Sequence, residues 1–231
     1  MKVAIMQPYF MPYLGYFQLI NAVDEFILFD TPQYIRHGWI ERNRILKLNG
    51  ESLYIKVPLQ KHKREASINS ILINNRVDWK AKILAQLVHY KKKAPNYNRV
   101  VELLEDILKE EFKTIVELNY CSLIKLCAYM DISTPIKIWS EMDVEIGNVN
   151  APDEWALNIC RRINAKMYYN LPGGKAFFNK KKYTDAGIGL KFLDVKLRDY
   201  KQFNNDFVSG LSIIDILMFC DHGLISKMLN E

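Results

Sequence analysis

Val3-Ala4-Ile5-Met6, halted by Gln7-Pro8; Tyr16, Leu19, Ile20 and Val23 at three- and four-residue spacing; then Glu25-Phe26-Ile27-Leu28-Phe29 ending at Asp30: these thirty residues decide the fold. A short apolar run that stops at a proline reads as a buried strand, since the residue before proline is pushed out of the helical region. A loop punctuated by Pro12 and Gly15 leads into the helical stripe, and the second apolar run reads as a second buried strand. Two such strands joined through a helix make a βαβ unit, which implies a parallel sheet.

Beyond this unit, residues 30–50 are polar and aromatic and read as a long loop with functional character. Leu53–Val57 and Ile68–Ile73 read as strands, with the basic, mobile-looking stretch Gln60–Ser67 between them. Apolar positions at helical spacing predict helices over Asp78–Tyr90, Tyr97–Glu110 and Thr114–Met130. Ile136–Trp139 reads as a strand, Pro152–Ala165 as a helix with proline in its first turn, Met167–Tyr169 and Gly189–Leu193 as strands, and Leu211–Phe219 as a last helix. The expectation is an α/β fold: a mostly parallel sheet in a three-layer arrangement with a helical middle segment. Residues 1–231 form one domain in this reading, and 78–130 make a helical lobe or cover.

Composition narrows the function classes. Of 231 residues, 49% are hydrophobic and 25% charged, which excludes a disordered or collagen-like chain. No apolar run approaches the roughly 20 residues that cross a bilayer, and the first residues are too short for a secretory core. The expectation is a cytoplasmic protein without membrane insertion. Four cysteines (Cys121, Cys127, Cys160, Cys220) form no CxxC pair and read as small buried hydrophobes. The net charge of +6 favours phosphate-bearing ligands, anionic surfaces or nucleic acid without choosing among them. Its main clusters are Lys61-His62-Lys63-Arg64, Lys91-Lys92-Lys93 and Lys180-Lys181-Lys182. The histidines are scattered, with no HxH, HxxH or DxD spacing, so no dedicated metal site is expected; the cofactor is left open.

In parallel sheets ligands sit beyond the carboxyl ends of the strands, which directs attention to three segments. In Gln7–Phe17 five aromatic rings surround Gln7, Pro8, Pro12 and Gly15. Gln7 offers an amide, Tyr9 and Tyr13 offer hydroxyls on rigid rings, and Gly15 permits close approach, a set suited to a sugar or a base. In Asp30–Arg44, Asp30 and His37 are the candidates for acid/base work, because a carboxylate at a strand end can hold a proton and imidazoles ordinarily titrate near neutrality. Arg42 and Arg44 can grip phosphate with a fork of donors, while Gln33, Tyr34, Trp39 and Asn43 complete the kit. In the third segment Asn170 precedes Gly173-Gly174, where the backbone can turn tightly or donate to an anion. No GxGxxG or GxxxxGKS pattern accompanies it. Ser212-Ile213-Ile214-Asp215 reads as the capped start of the last helix.

The runs Met6–Ile20 and Tyr34–Ile45, then Lys93-Ala94-Pro95, Tyr168-Tyr169-Asn170 with Gly173-Gly174, Tyr200-Lys201-Gln202-Phe203 and Leu211–Phe219, together resemble the WbqC-like protein family. The resemblance covers nearly the whole chain. It departs from the family pattern at Glu41, where Asn commonly precedes Arg-Asn-Arg, at Cys220, where Asn often follows Met-Phe, and at Pro172, inside the Asn-x-x-Gly-Gly stretch.

The resemblance implies bacterial O-antigen and other surface polysaccharide biosynthesis. With the two aromatic and basic loops it leads to the expectation of an enzyme adding an acyl or aminoacyl group to the amine of a nucleotide-linked amino sugar. In that reading Asp30 or His37 takes the amine's proton, Arg42 and Arg44 neutralise phosphate or an oxyanion, and Tyr9, Tyr13 and Trp39 stack on base or sugar. The donor is a thioester, an acyl phosphate or an aminoacyl-tRNA, and the oligomeric state is left open. Two rival readings are a nucleotidyltransferase-like enzyme, although residues 1–36 hold no histidine, and a basic protein binding RNA or a partner protein.

Overall fold

The opening strand β1 (Lys2–Met6) is the centre of a five-stranded sheet in the computed structural model, which describes residues 1–203 and 206–231. Helix α1 (Leu14–Asn21) leads to β2 (Glu25–Leu28), which pairs in parallel with β1. Far along the chain β5 (Ile136–Ile138) adds to the outer side of β2. On the other side of β1 lie β6 (Met167–Asn170) and then β7 (Gly189–Phe192), both parallel. The order β5-β2-β1-β6-β7 becomes 3-2-1-4-5 when counted along the chain within this sheet. The sheet therefore grows outward from β1 in both directions, and the reversal point lies between β1 and β6.

Both faces are covered, as an all-parallel sheet requires. Along β1 and β2 the residues alternate between two apolar clusters. Ala4, Phe26 and Leu28 join the larger one, with α1 and the middle helices, whereas Val3, Ile5 and Ile27 join the smaller one with α5 (Glu154–Arg162) and α6 (Lys180–Asp185). The result is a three-layer α/β structure. The middle helices are α2 (Trp79–Leu87), capped by Asp78, α3 (Tyr97–Leu108), and α4 (Ile115–Tyr129), whose start carries a reciprocal Thr114/Glu117 capping box. Their buried residues, among them Ile83, Leu104 and Leu118, share the apolar cluster of the sheet. No helix among the described residues is long and apolar enough to cross a membrane.

Four expectations are corrected. The supposed loop over 30–50 contains β3 (Arg42–Leu46), which pairs antiparallel with β4 (Ser52–Lys56) as a separate ribbon. Its alternation is real, with Asn43 and Ile45 buried, but Arg42 and Arg44 at the outward positions disguise it. Ile68–Ile73 is not a strand: Ile68–Ser70 form a 3₁₀ turn, and only isolated bridges join Leu59 to Ile73 and Leu72 to Thr114. Pro152 precedes its helix instead of occupying the first turn, because Asp153 takes the capping position. The last helix is two: α7 (Ile213–Phe219), capped by Ser212, and α8 (His222–Asn230), capped by Asp221, which packs on α1. Cys127, Cys160 and Cys220 are buried and Cys121 half-buried, all as free thiols.

Candidate functional site

Three loops and an irregular strap meet above the crevice between β1 and β6, around a cavity of about 380 Å³. Tyr9, Pro12 and Tyr13 line it from the loop after β1, and Leu171 and Gly173 from the loop after β6. Trp39 and Asn43 line it from the second loop and β3, and Gly210 from the strap that joins β7 to α7. The volume is in the range that small-molecule pockets occupy, and the walls are mostly apolar with a few placed polar groups.

Buried amides hold these loops in register. Asn119 of α4 is fully buried, and its Nδ2 donates to the Pro8 carbonyl and the Ile40 carbonyl, both at 2.9 Å, so one side chain ties the first loop to the second. Phe10 N donates to the Trp39 carbonyl at 2.8 Å. Asn43 Nδ2 donates to the carbonyls of Phe10 (3.1 Å) and Met11 (2.8 Å), and Ser212 Oγ also donates to Met11 at 2.8 Å. Met11 has a φ of 43°, a left-handed conformation that a side chain disfavours, and these two donors on its carbonyl hold it there. Gly15 serves packing: a Cβ there would lie 2.6 Å from the Tyr13 ring and 2.7 Å from Val195.

Of the residues singled out in the sequence, Tyr9, Tyr13, Trp39, Asn43 and Gly173 line the cavity. Burial raises both phenols above the ordinary tyrosine range, so at neutral pH they are hydrogen-bond donors and not bases. Arg44 lies at the edge: its Nη2 donates to the Gly210 carbonyl at 3.3 Å, its Cζ stands 5.5 Å from the Trp39 ring centre, and its buried Nε has no acceptor among the described residues.

The others lie elsewhere. Asp30 is fully buried at the end of β2 and does not line the cavity. Its carboxylate accepts from Ser140 N (3.0 Å) and Ser140 Oγ (2.6 Å), and its carbonyl accepts from Asn69 N, which joins β2 to the turn after β5 and to the 68–70 turn. Gln7 gives its carbonyl to the Tyr16 hydroxyl. Gln33 donates to the Arg64 carbonyl, and Tyr34, packed edge-on against His62, has its phenol raised by burial and by the Glu41 carboxylate. The stretch Gln60–Ser67 is thereby tied to the second loop, where mobility was expected. His37 is exposed, with a φ of 64°, and its carbonyl and that of Gly38 accept from Arg42, whose guanidinium covers the Tyr54 ring at 4.6 Å. Asn170 Nδ2 donates to the Tyr168 hydroxyl at 2.7 Å, and Gly174 packs against that amide.

Sequence reasoning passed over the strap and its anchor. Asp215, read as a helix cap, is fully buried and accepts from Tyr90 Oη (2.6 Å), Tyr200 Oη (2.6 Å) and Gln202 Nε2 (2.9 Å). Gln202 also brackets Val208, accepting from its N–H and donating to its carbonyl, which sets the course of the strap toward Gly210. The Ser209-Gly210 pair was the available turn signal, and Asn119 inside an apolar helical run was the signal for the buried tie.

The model of the WbqC-like protein family matches residues 7–226. The chain is also similar to the protein named "Uncharacterized protein Rv1507c" of Mycobacterium tuberculosis, with 32% identity over 219 residues, 94% of this chain and 92% of that one. No solved structure matches the chain.

Proposed function

This chain belongs to the WbqC-like protein family, and we propose that it is an enzyme of bacterial surface polysaccharide (O-antigen) biosynthesis that transfers an acyl or aminoacyl group to the amine of a nucleotide-linked amino sugar. The observation that carries the reading is the position of the cavity, in the β1/β6 crevice of a 3-2-1-4-5 parallel sheet, walled by Tyr9, Tyr13 and Trp39. Doubly wound sheets receive nucleotides at this reversal point. Rigid aromatic walls suit a sugar or base face, and the phenols supply oriented hydrogen bonds to hydroxyls.

Arg44 takes the phosphate in this reading. Among the described residues no carboxylate pairs with it, and its Nε is left without an acceptor beside Trp39 and Gly210. A partly buried guanidinium with unspent donors is compensated when a phosphate arrives, in the forked geometry that both groups favour. The amine must lose a proton as its new bond to carbon forms. Asp30 is already engaged by Ser140 and His37 is exposed outside the cavity lining, so the proton passes to the leaving group of the donor.

Thermal-shift screening with nucleotide-linked amino sugars tests the proposal: the expected result is stabilisation that rises with ligand concentration as mass action requires. Arg44→Ala should abolish most of that shift while the unliganded melting temperature changes by a few degrees at most. No shift with any of a broad panel would end this reading.

A further inference from the structure

Ion pairs among the described residues engage a minority of the cations of this chain. Lys181 pairs with Asp185, and Lys182 with Asp153 and Glu154, so the 180–182 cluster is largely neutralised by its neighbours. Lys109, Lys125, Lys137 and Arg198 are paired as well. Along the ribbon and second loop, unpaired cations lie close together. Among the described residues Arg36, Arg42, Arg44 and Lys56 form no ion pair, and neither do Lys61, Lys63 and Arg64; of the nearby acids Glu41 is buried, Glu51 is held by Lys47, and Glu65 is exposed beside Arg64, one carboxylate against the seven cations.

These cations form one strip. Arg42 stands directly opposite Lys56 across the ribbon, and Arg44 opposite Tyr54, so the four share one face. Like charges set opposite each other are a cost to the fold unless something binds them. The Gln33–Arg64 and Tyr34–His62 contacts bring Lys61–Arg64 against the second loop, and the Arg42 bonds to His37 and Gly38 bring that loop against the ribbon. Exposed aromatic rings interrupt the charge: Tyr54 is 44% exposed under Arg42, and Trp39 is 37% exposed beside Arg44 at the cavity wall.

We propose that this strip binds the single-stranded end of an RNA and leads it to the cavity. Cations spaced along a groove neutralise successive phosphates, and exposed aromatic rings stack bases, the combination that holds single-stranded nucleic acid. A surface that read charge alone would have no use for the two rings. Resting on the acyl-transfer reading, the strip identifies the donor class as an acyl group esterified to an RNA terminal hydroxyl. The sugar amine attacks the ester carbonyl, the C–N bond forms, the C–O bond breaks, and the RNA hydroxyl leaves as the amine gives up its proton.

The probe is a fluorescein-labelled 12-nucleotide single-stranded RNA, with heparin as a polyanion lacking bases. Binding at 50 mM salt should weaken steeply as salt rises. The variant R36A/K61A/K63A/R64A, all exposed positions, should bind at least tenfold more weakly with a shallower salt slope, by about 0.7 for each phosphate that is no longer neutralised. Tyr54→Ala should weaken RNA about tenfold, because the Arg42–Tyr54 platform on which a base stacks is lost, and leave heparin affinity unchanged. Absence of RNA binding by the wild-type chain, or unchanged binding by the four-site variant, would overturn the proposal. An equal response of RNA and heparin to Tyr54→Ala would reassign the strip to an anionic polysaccharide. Thermal shift with nucleotide-linked sugars is read in parallel: a sugar shift without RNA binding rejects only the strip, and RNA binding without a sugar shift rejects only the enzymatic reading.

Discussion

The carboxyl ends of β1 and β2 are neighbours in one sheet, and both feed loops dense in functional groups, yet they end differently. Beyond β1 the chain opens onto the cavity shared with the loop after β6. Beyond β2 it is closed at once, because Asp30 is clasped by Ser140 from the turn after β5 and receives Asn69 from the 68–70 turn. The difference follows from topology. The sheet grows away from β1 in opposite directions, leaving a crevice beside β6, while β2 and β5 continue in one direction and their connections pack over each other. A carboxylate at a strand end is thus a reagent or a fastener according to which gap the strand adjoins.

Asn119 keeps the open end open, so its loss should have the largest effect. Asn119→Ala leaves two buried carbonyls, those of Pro8 and Ile40, without their donor. At about 1–3 kcal/mol for each unsatisfied buried group, urea unfolding should reveal a loss of about 3 kcal/mol, together with loss of ligand-induced stabilisation. Retention of full stability would mean that the two loops are held by other means. Gly15→Ala comes next. The new methyl meets the Tyr13 ring and Val195, both able to shift, and overpacking of this kind costs about 1–3 kcal/mol. Because Tyr13 lines the cavity, the substitution should weaken nucleotide-sugar binding by more than its effect on Tm implies.

The closed end is tested by Asp30→Asn. The amide oxygen can still accept from Ser140 N, but the amide nitrogen that replaces the second oxygen cannot accept and must donate to Ser140 Oγ instead, and with the charge also gone a loss of about 1 kcal/mol is expected. Turnover should fall no further than this destabilisation accounts for. Complete loss of turnover at an unchanged melting temperature would make Asp30 a reagent after all and abolish the contrast between the two strand ends.

The sequence disclosed the sheet and the first loop because both are governed by local rules. An apolar run before Pro8 can only be a buried strand end here, and the spacing of Tyr16, Leu19 and Ile20 fixes a helix face whatever lies beyond. β3 was hidden because outward arginines at 42 and 44 make an alternating strand resemble a polar loop. The role of Asp30 was hidden for another reason: Ser140 is 110 residues away, and no spacing rule connects them. The same holds for Tyr200, Gln202 and Asp215. Their two runs carried part of the family resemblance, but only the fold reveals that they meet at one buried carboxylate.

That anchor gives the smallest and most specific effect. Asp215 faces Tyr200, Tyr90 and Gln202 directly, with His89 and Cys220 nearby, and burial outweighs the three hydrogen bonds so that its carboxyl is raised above the ordinary range. An acid raised in the folded state binds protons more tightly there than in the unfolded chain, so it favours folding at low pH. Its contribution should fade as pH climbs from the ordinary carboxyl value, near 4, toward the raised folded value, and stay constant above it. Asp215→Asn removes that titration, so the difference in unfolding free energy between variant and wild type should vary with pH only in this acidic window, shifting toward the variant as pH rises. Because Gln202 and Tyr200 bind the same carboxylate, nucleotide-sugar affinity should change with the variant even above the window, where no proton moves. A stability difference that is flat across the acidic range would mean that Asp215 is not a strained buried anion, and the strap would then need another anchor.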